Sequence, residues 1–388
     1  MRDVHYWDGN SLGAYSPAVR TAVNDALDQW ERCGIGGWTD GEDGWIHLSN
    51  TLARRLENLF HAPVGSIACT GSITSNLLNL LLTLHRSNRD ILVDAEAFMT
   101  DRIVVDAVCD LLKSTTGQLV ITSPDEHRLF STESIIAALP SGGTAILPIV
   151  VYTTGQRLDV TAIQTAALAR DCVVIWDAAH AVGVVDGLPF DLMDAMVWCH
   201  YKWLNAGPGA VAGLYVHPRL HGVTPALRGW FGVDINHMFT PSGSYIAAPG
   251  AARFGLGTPH IFSLAALSGA LLPYERVGIR AVMCASQVVT AYLYRALQED
   301  SVEFGWTVLT PGKADERGGH IAIALPNAVA VCNALRLKGV IPDHRPPNVL
   351  RFAPPPWNVA PSVIDSVVSI LKVAIKTAPL CVCCDLVP

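Results

Sequence analysis

Charged residues are scarce in this chain: Asp, Glu, Lys and Arg make up 16% of its 388 residues, while half are hydrophobic. Long apolar runs are lacking as well, and none reaches the roughly 18 residues that a membrane-crossing helix requires. The apolar excess is therefore expected in a buried parallel sheet and a subunit interface. No apolar stretch follows Met1-Arg2-Asp3-Val4-His5, so no secretory signal is read there and the cytoplasm is the expected compartment. Positive charge is in deficit, with a formal net charge of −7, which argues against nucleic acid or an anionic membrane as partner. There is no internal repeat, low-complexity segment or run of like charge. The ten cysteines are scattered, mostly in apolar segments such as those of Cys69, Cys172 and Cys199, and are expected as buried free thiols. Their one cluster, Cys381-Val382-Cys383-Cys384, lies in the last few residues and reads as a frayed tail rather than a metal or redox site.

What is present is an alternation of short apolar runs with helical patterns. A first helix is predicted from about Ser16, with Pro17 at its first position, to Gly34, with Val19, Val23, Ala26, Leu27 and Trp30 on one face. The Gly- and Trp-rich stretch from Gly36 to Trp45 reads as a loop. Strands are predicted near Ile91–Asp94, Gln118–Thr122, Ala145–Tyr152, Val173–Asp177, Met196–Cys199 and Val211–His217, with crossover connections implying a mostly parallel α/β sheet. After about Pro273 the pattern changes to a long helix from Tyr274 to about Leu297, a short strand at His320–Leu325 and a last helix from Ser362 to about Thr377. That change predicts a second, smaller domain.

Two residues carry the chemistry. Asp177 ends the apolar strand Val173-Val174-Ile175-Trp176-Asp177, and Lys202 stands in Tyr201-Lys202-Trp203-Leu204-Asn205 ahead of Gly207-Pro208-Gly209. A lysine amine condenses with the aldehyde of pyridoxal phosphate, and a carboxylate keeps the pyridine nitrogen protonated so that the ring accepts electrons. Thr70-Gly71-Ser72-Ile73-Thr74-Ser75-Asn76, just before the apolar helix Leu77–Leu84, offers hydroxyls and a helix N-terminus to a phosphate. Glu96-Ala97-Phe98-Met99-Thr100-Asp101 follows a strand and is placed in a loop at the carboxyl edge of the sheet, where open α/β folds bind ligands. Arg351, with apolar neighbours on both sides, offers the planar fork that a substrate carboxylate needs.

The run Asp177-Ala178-Ala179-His180-Ala181-Val182-Gly183 and the Tyr201–Asn205 run resemble the cofactor signatures of kynureninases. Asp8-Gly9-Asn10-Ser11-Leu12-Gly13, Thr154-Gly155-Gln156, Gly229-Trp230-Phe231-Gly232 and Arg351-Phe352-Ala353-Pro354 resemble segments of the same family, in its order and at similar spacing. The resemblance implies a fold type I pyridoxal phosphate enzyme. Its large domain (46–273) would hold a mostly parallel seven-stranded sheet flanked by helices, its smaller α+β domain would span 274–388, and an N-terminal segment (1–45) would pack with the latter.

It further implies that Lys202 is the base, Asp177 the partner of the ring nitrogen, and Tyr201 a phosphate ligand and proton shuttle. Ile73 and Thr74 would hold the phosphate, Phe98 would stack on the ring, and Asp101 and His180 would contact the cofactor. Trp230 and Thr258 would reach the phosphate of the neighbouring subunit in an obligate homodimer. Arg351 would bind the substrate carboxylate, and Asn10 and Trp38 would contact an aryl ketone. The implied reaction is hydrolysis of L-kynurenine, or its 3-hydroxy derivative, to anthranilate or 3-hydroxyanthranilate and L-alanine.

Two residues depart from the family pattern: Pro148, where some relatives carry a serine near the phosphate, and His200, which replaces a small hydroxyl residue before the Tyr-Lys pair. The chain is also somewhat short for the family. A relative acting on another β-carbonyl or modified kynurenine amino acid in secondary metabolism is thus an alternative, as are an aminotransferase and a cysteine desulfurase on the same fold. The run Gly207 to Gly213 has the wrong spacing for a nicotinamide fingerprint and precedes a strand. His217 and His221 lack a third ligand, so no metal is expected. A non-catalytic binding protein would have little need of this lysine, aspartate and arginine together.

Overall fold

The computed structural model describes residues 4–39, 44–112, 116–240, 245–357 and 359–378; the cysteine cluster at 381–384 lies outside them. The first half contains β1 (His5–Tyr6), α1 (Pro17–Cys33), α2 (Trp45–Phe60), β2 (Ile67–Cys69), α3 (Ile73–Leu84), β3 (Arg89–Asp94), α4 (Met99–Leu112), β4 (Thr116–Thr122), α5 (Thr132–Ala138), β5 (Thr144–Pro148), α6 (Val160–Ala169) and β6 (Val173–Asp177). There follow β7 (Ala195–Cys199), β8 (Ala212–Val216), α7 (Ile261–Val277), α8 (Ile279–Glu299), α9 (Ser301–Phe304), β9 (Thr307–Val308), β10 (Ile321–Ala324), α10 (Ala328–Leu337), β11 (Val340–Ile341), β12 (Asp343–Arg345), β13 (Val349–Phe352) and α11 (Pro361–Thr377).

The central sheet has seven strands in the order β2-β8-β7-β6-β5-β3-β4, parallel except for β8, which runs against both of its neighbours. Its strands read as unbroken apolar runs because both faces are covered. Along β6, Val174 and Trp176 join the core under α2, α5, α6 and α7, whereas Ile175 joins the one under α3 and α4. A four-stranded antiparallel sheet, β12-β13-β10-β9, packs with α8, α10 and α11 over a separate core that includes Trp7. The N-terminal segment reaches that region directly, since β1 pairs in parallel with β11.

Three expectations change. The strand predicted to run to Tyr152 ends at Pro148, beyond which the chain doubles back through Gly155, at φ 76°, and Val150 bridges Arg157. The stretch before Trp45 is not all loop, because Gly34–Trp38 forms a 3-10 turn. The long helix predicted from Tyr274 to about Leu297 is broken: Gly278, at φ 81°, separates α7 from α8, whose axes differ by 82°. The first helix starts and stops as predicted, but Leu27 and Trp30 stay largely exposed and only Ala26 is buried. Among the described residues no single helix is long and apolar enough to cross a membrane.

Candidate active site

The site lies where the carboxyl ends of β3, β5, β6 and β7 meet the start of α3. Asp177 closes β6, and its Oδ1 accepts the Ala179 N–H at 2.8 Å. Lys202 stands three residues past β7, in a reversal fixed by Asn205 N–H to Lys202 C=O (2.9 Å) and Ala206 N–H to His200 C=O (3.0 Å). From the other side the Gly13 N–H donates to the Tyr201 carbonyl at 2.7 Å. Only glycine allows that approach, because a Cβ on residue 13 would come within 2.2 Å of the Lys202 carbonyl oxygen.

Lys202 Nζ lies 3.1 Å from His180 Nε2 and 5.7 Å from the centroid of the Phe98 ring, and it is buried. Burial, reinforced by the Lys202 and Arg351 charges, holds His180 well below the usual histidine range, so its Nε2 is a neutral acceptor for the amine. Asp101 is buried in the first turn of α4, not in the predicted loop, and its carboxyl bonds to Asp177. Burial first, and the Asp177 charge second, push Asp101 far up; Asp177 is raised by burial but restrained by Lys202 and the Ala179 N–H. The proton therefore resides on Asp101 and the charge on Asp177.

The phosphate-seat candidate is a capped helix start. Ser72 accepts the Ser75 N–H and Ser75 Oγ accepts the Ser72 N–H, a capping box that leaves the N–H groups of Ile73 and Thr74 without intrahelical partners. A cavity of about 190 Å³ joins these parts: Gly71, Ser72, Ile73 and Thr74 at one end, and Phe98, Asp101, Asp177, His180, Tyr201 and Lys202 around the other. Burial raises the Tyr201 phenol far above its ordinary range.

The departures resolve differently from one another. His200 is a strut: it is fully buried, its Nδ1 faces the Val211 carbonyl and its Nε2 accepts Trp198 Nε1–H at 2.9 Å. Pro148 pairs in register with Asp177 and is not among the residues that line the cavity.

Arg351 is completely buried, and its terminal nitrogens are already engaged: Nη1 with the Tyr152 carbonyl at 2.7 Å, Nη2 with Ser11 Oγ at 3.1 Å and with Asp343. The free fork that was expected is thus largely occupied by protein, and Nε alone has no partner. Asn10 is buried with both side-chain polar atoms unpaired. Trp38 packs edge-on against Trp45 (5.9 Å) and near Trp230 (6.5 Å), and it does not line the Lys202 cavity. Thr258 lines a separate groove of about 790 Å³ between α2, β2 and residues 231–238 and 248–260, which meets the Lys202 cavity at Gly71. A single chain therefore does not bring Trp230 or Thr258 to the lysine. His217 caps a short turn by accepting the Arg219 N–H at Nδ1 (3.0 Å), and the Nε2 atoms of His217 and His221 face the Asp191 and Val216 carbonyls. Sequence reasoning passed over Gly13, Asp343 and His320; only the Gly13 approach had a signal, in the Asn-Ser-Leu-Gly run.

A buried lysine amine and an ionised buried carboxylate share this cavity, with unpartnered Asp101 Oδ1 and His180 Nδ1 beside them and a helix start at its far end. Such a site fits pyridoxal phosphate, and on this sheet it defines a fold type I pyridoxal phosphate enzyme. Solved structures agree on the fold: a C-DES mutant with glycine covalently linked to its PLP cofactor (TM-score 0.82, 18% identity, 96% of this chain and 97% of that one) and an apo cysteine desulfurase from Thermococcus onnurineus NA1 (TM-score 0.79, 16%, 96% and 95%). The family model of the kynureninase C-terminal domain matches residues 282–371. Kynureninases from Geobacillus thermodenitrificans (34% identical, covering 95% of this chain and 87% of that one) and Bacillus cereus (35%, 90% and 83%) align along nearly its whole length. The chain belongs to the kynureninase family.

Proposed function

We propose that this enzyme hydrolyses the Cβ–Cγ bond of L-kynurenine, 3-hydroxy-L-kynurenine or both, releasing L-alanine and anthranilate or 3-hydroxyanthranilate, as a step of tryptophan catabolism in the cytoplasm. The observation that carries this reading is the likeness to kynureninases across 95% of the chain. When bound, pyridoxal phosphate supplies an electron sink for negative charge at the substrate's Cα. Asp177 keeps an ionised carboxylate for the ring nitrogen, and Asp101, whose proton goes to Asp177, contacts the ring's polar edge. Phe98 and His180 wall the ring.

Ile73 and Thr74 hold the phosphate through backbone N–H groups and the Thr74 hydroxyl, joined by the Tyr201 phenol. Lys202 takes the Cα proton, its amine steered by the neutral His180. Tyr201, protonated at neutral pH because it is buried, can return a proton to Cβ after cleavage. Arg351 binds the α-carboxylate, and Asn10 and Trp38 meet the aryl ketone.

Trp230 and Thr258 act on the site of a second copy, so the working form is a homodimer. The exposure of Phe239 (75%) beside Trp230 supports such an interface. The segments 1–45, 46–273 and 274–388 then serve as N-terminal strap, large domain and small domain. The test is to mix cofactor-loaded protein with each substrate and follow aryl-amine fluorescence and alanine. Equimolar products, lost in Lys202→Ala by a factor of about 100 or more, are expected; spectral response to amino acids without cleavage would overturn the reading.

A further inference from the structure

His320 precedes β10, is fully buried, and has no hydrogen-bond partner at either ring nitrogen. Buried polar atoms are normally paired, so such an imidazole calls for an acceptor or donor, which a ligand entering beside it can bring. The register locates it. Ala322 of β10 stands opposite Arg351 of β13, and side chains alternate along a strand, so residue 320 projects on the Arg351 face as its diagonal neighbour. The Tyr152 carbonyl lies close enough to the ring to favour its protonated form, but it accepts from Arg351 Nη1 at 2.7 Å and makes no hydrogen bond of normal geometry with either ring nitrogen. On its other side the ring meets His180, with centroids 5.7 Å apart, and His180 in turn touches the Lys202 amine.

Arg351 supplies a second, independent vacancy in the pairing. Its Nε is buried without an acceptor, while Asp343 and Ser11 take Nη2 and Tyr152 takes Nη1. Two buried groups able to donate thus share one face of the β10–β13 pair, within a neighbourhood of Lys202, Arg345 and Arg351 charges that act on His320. Of the nearby acids, Asp343 is committed to Arg351 and Arg345, and Asp8 offsets only part of the remaining charge of Arg351, Arg345 and Lys202. An incoming carboxylate satisfies both orphans and the excess of positive charge.

We propose that His320 is a substrate-binding residue that, with Arg351 Nε, holds the α-carboxylate of the amino-acid substrate. Asp343 is the positioning residue that pins the guanidinium for it. The proposal deepens the assignment of Arg351 made above and rests on that reading.

The experiment titrates cofactor-loaded protein with L-alanine and with L-alaninamide, following cofactor absorbance, in the wild type, His320→Leu and His320→Gln. The wild type should favour alanine. His320→Leu should lose about tenfold or more of that preference, as removal of one charge-assisted hydrogen bond implies. His320→Gln, which keeps an N–H donor, should regain most of it, with alaninamide binding little changed throughout. An unchanged preference, or equal weakening of both ligands, would overturn the proposal. Should the leucine variant fail to fold, His320→Met against His320→Gln gives the same contrast. Because neither ligand is cleaved, a negative result here is separable from failure to act on kynurenine.

Discussion

Replacing His200 by glutamine should remove one acid-sensitive contribution to stability. His200 is buried between Trp198 and Val211, and burial brings it down from 6.5 to about 4, so the folded protein holds it neutral. Between those values the unfolded chain binds a proton that the folded one does not. Stability is therefore complete above about pH 6.5 and falls as pH drops through that window. At about 1.4 kcal/mol per pH unit, the loss reaches about 2 kcal/mol near pH 5 and about 3 kcal/mol near pH 4. Glutamine can accept from Trp198 and donate to Val211 without titrating, whereas alanine would leave both unpaired at about 1–3 kcal/mol each even at neutral pH. His180 and His320 are likewise held neutral by burial, but they remain in the variant, so the difference isolates His200. Equilibrium urea unfolding at about pH 7 and about pH 5, at one protein concentration and with cofactor bound, measures it. The wild type should lose about 2 kcal/mol more than His200→Gln over that interval. Parallel losses would refute the assignment of His200 as a neutral strut.

Gly13→Ala should destabilise the protein by about 1–3 kcal/mol, since the added methyl meets the Lys202 carbonyl oxygen at 2.2 Å and Asn205 Oδ1 at 2.3 Å; thermal melting and cofactor retention report it, and an unaltered melting temperature would contradict the close approach. Arg351→Lys keeps the charge but cannot meet Tyr152, Ser11 and Asp343 together, so KM should rise by about tenfold or more, and an unchanged KM would count against its role with the carboxylate.

Asp177 and Lys202 were legible because one closes an apolar strand and the other stands three residues past the next, and the sheet was legible because its strands are apolar on both faces. The family likeness was legible from ordered motifs. The break at Gly278 was hidden because apolar spacing continues on both sides of it. Asp101 was placed in a loop because nothing in Met99-Thr100-Asp101 announces that α4 starts at Met99. The partners of Arg351 were invisible because the β12–β13 and β10–β13 registers bring Asp343 and His320 to it across strands, at separations that no local pattern records. Trp230 and Thr258 remain apart from the lysine in a single chain, which is a matter of assembly and not of local sequence.

The single reversed strand, β8, has a kinetic consequence. Because β7 returns through β8 as an antiparallel neighbour, Lys202 rides on a short reversal instead of a long crossover, and three backbone hydrogen bonds around it close without any ligand. The amine is thus pre-organised before the cofactor arrives, and little ordering entropy remains to be lost on loading. The amides of Asn205 and Ala206 should accordingly exchange with solvent deuterium as slowly in cofactor-free protein as in the loaded enzyme.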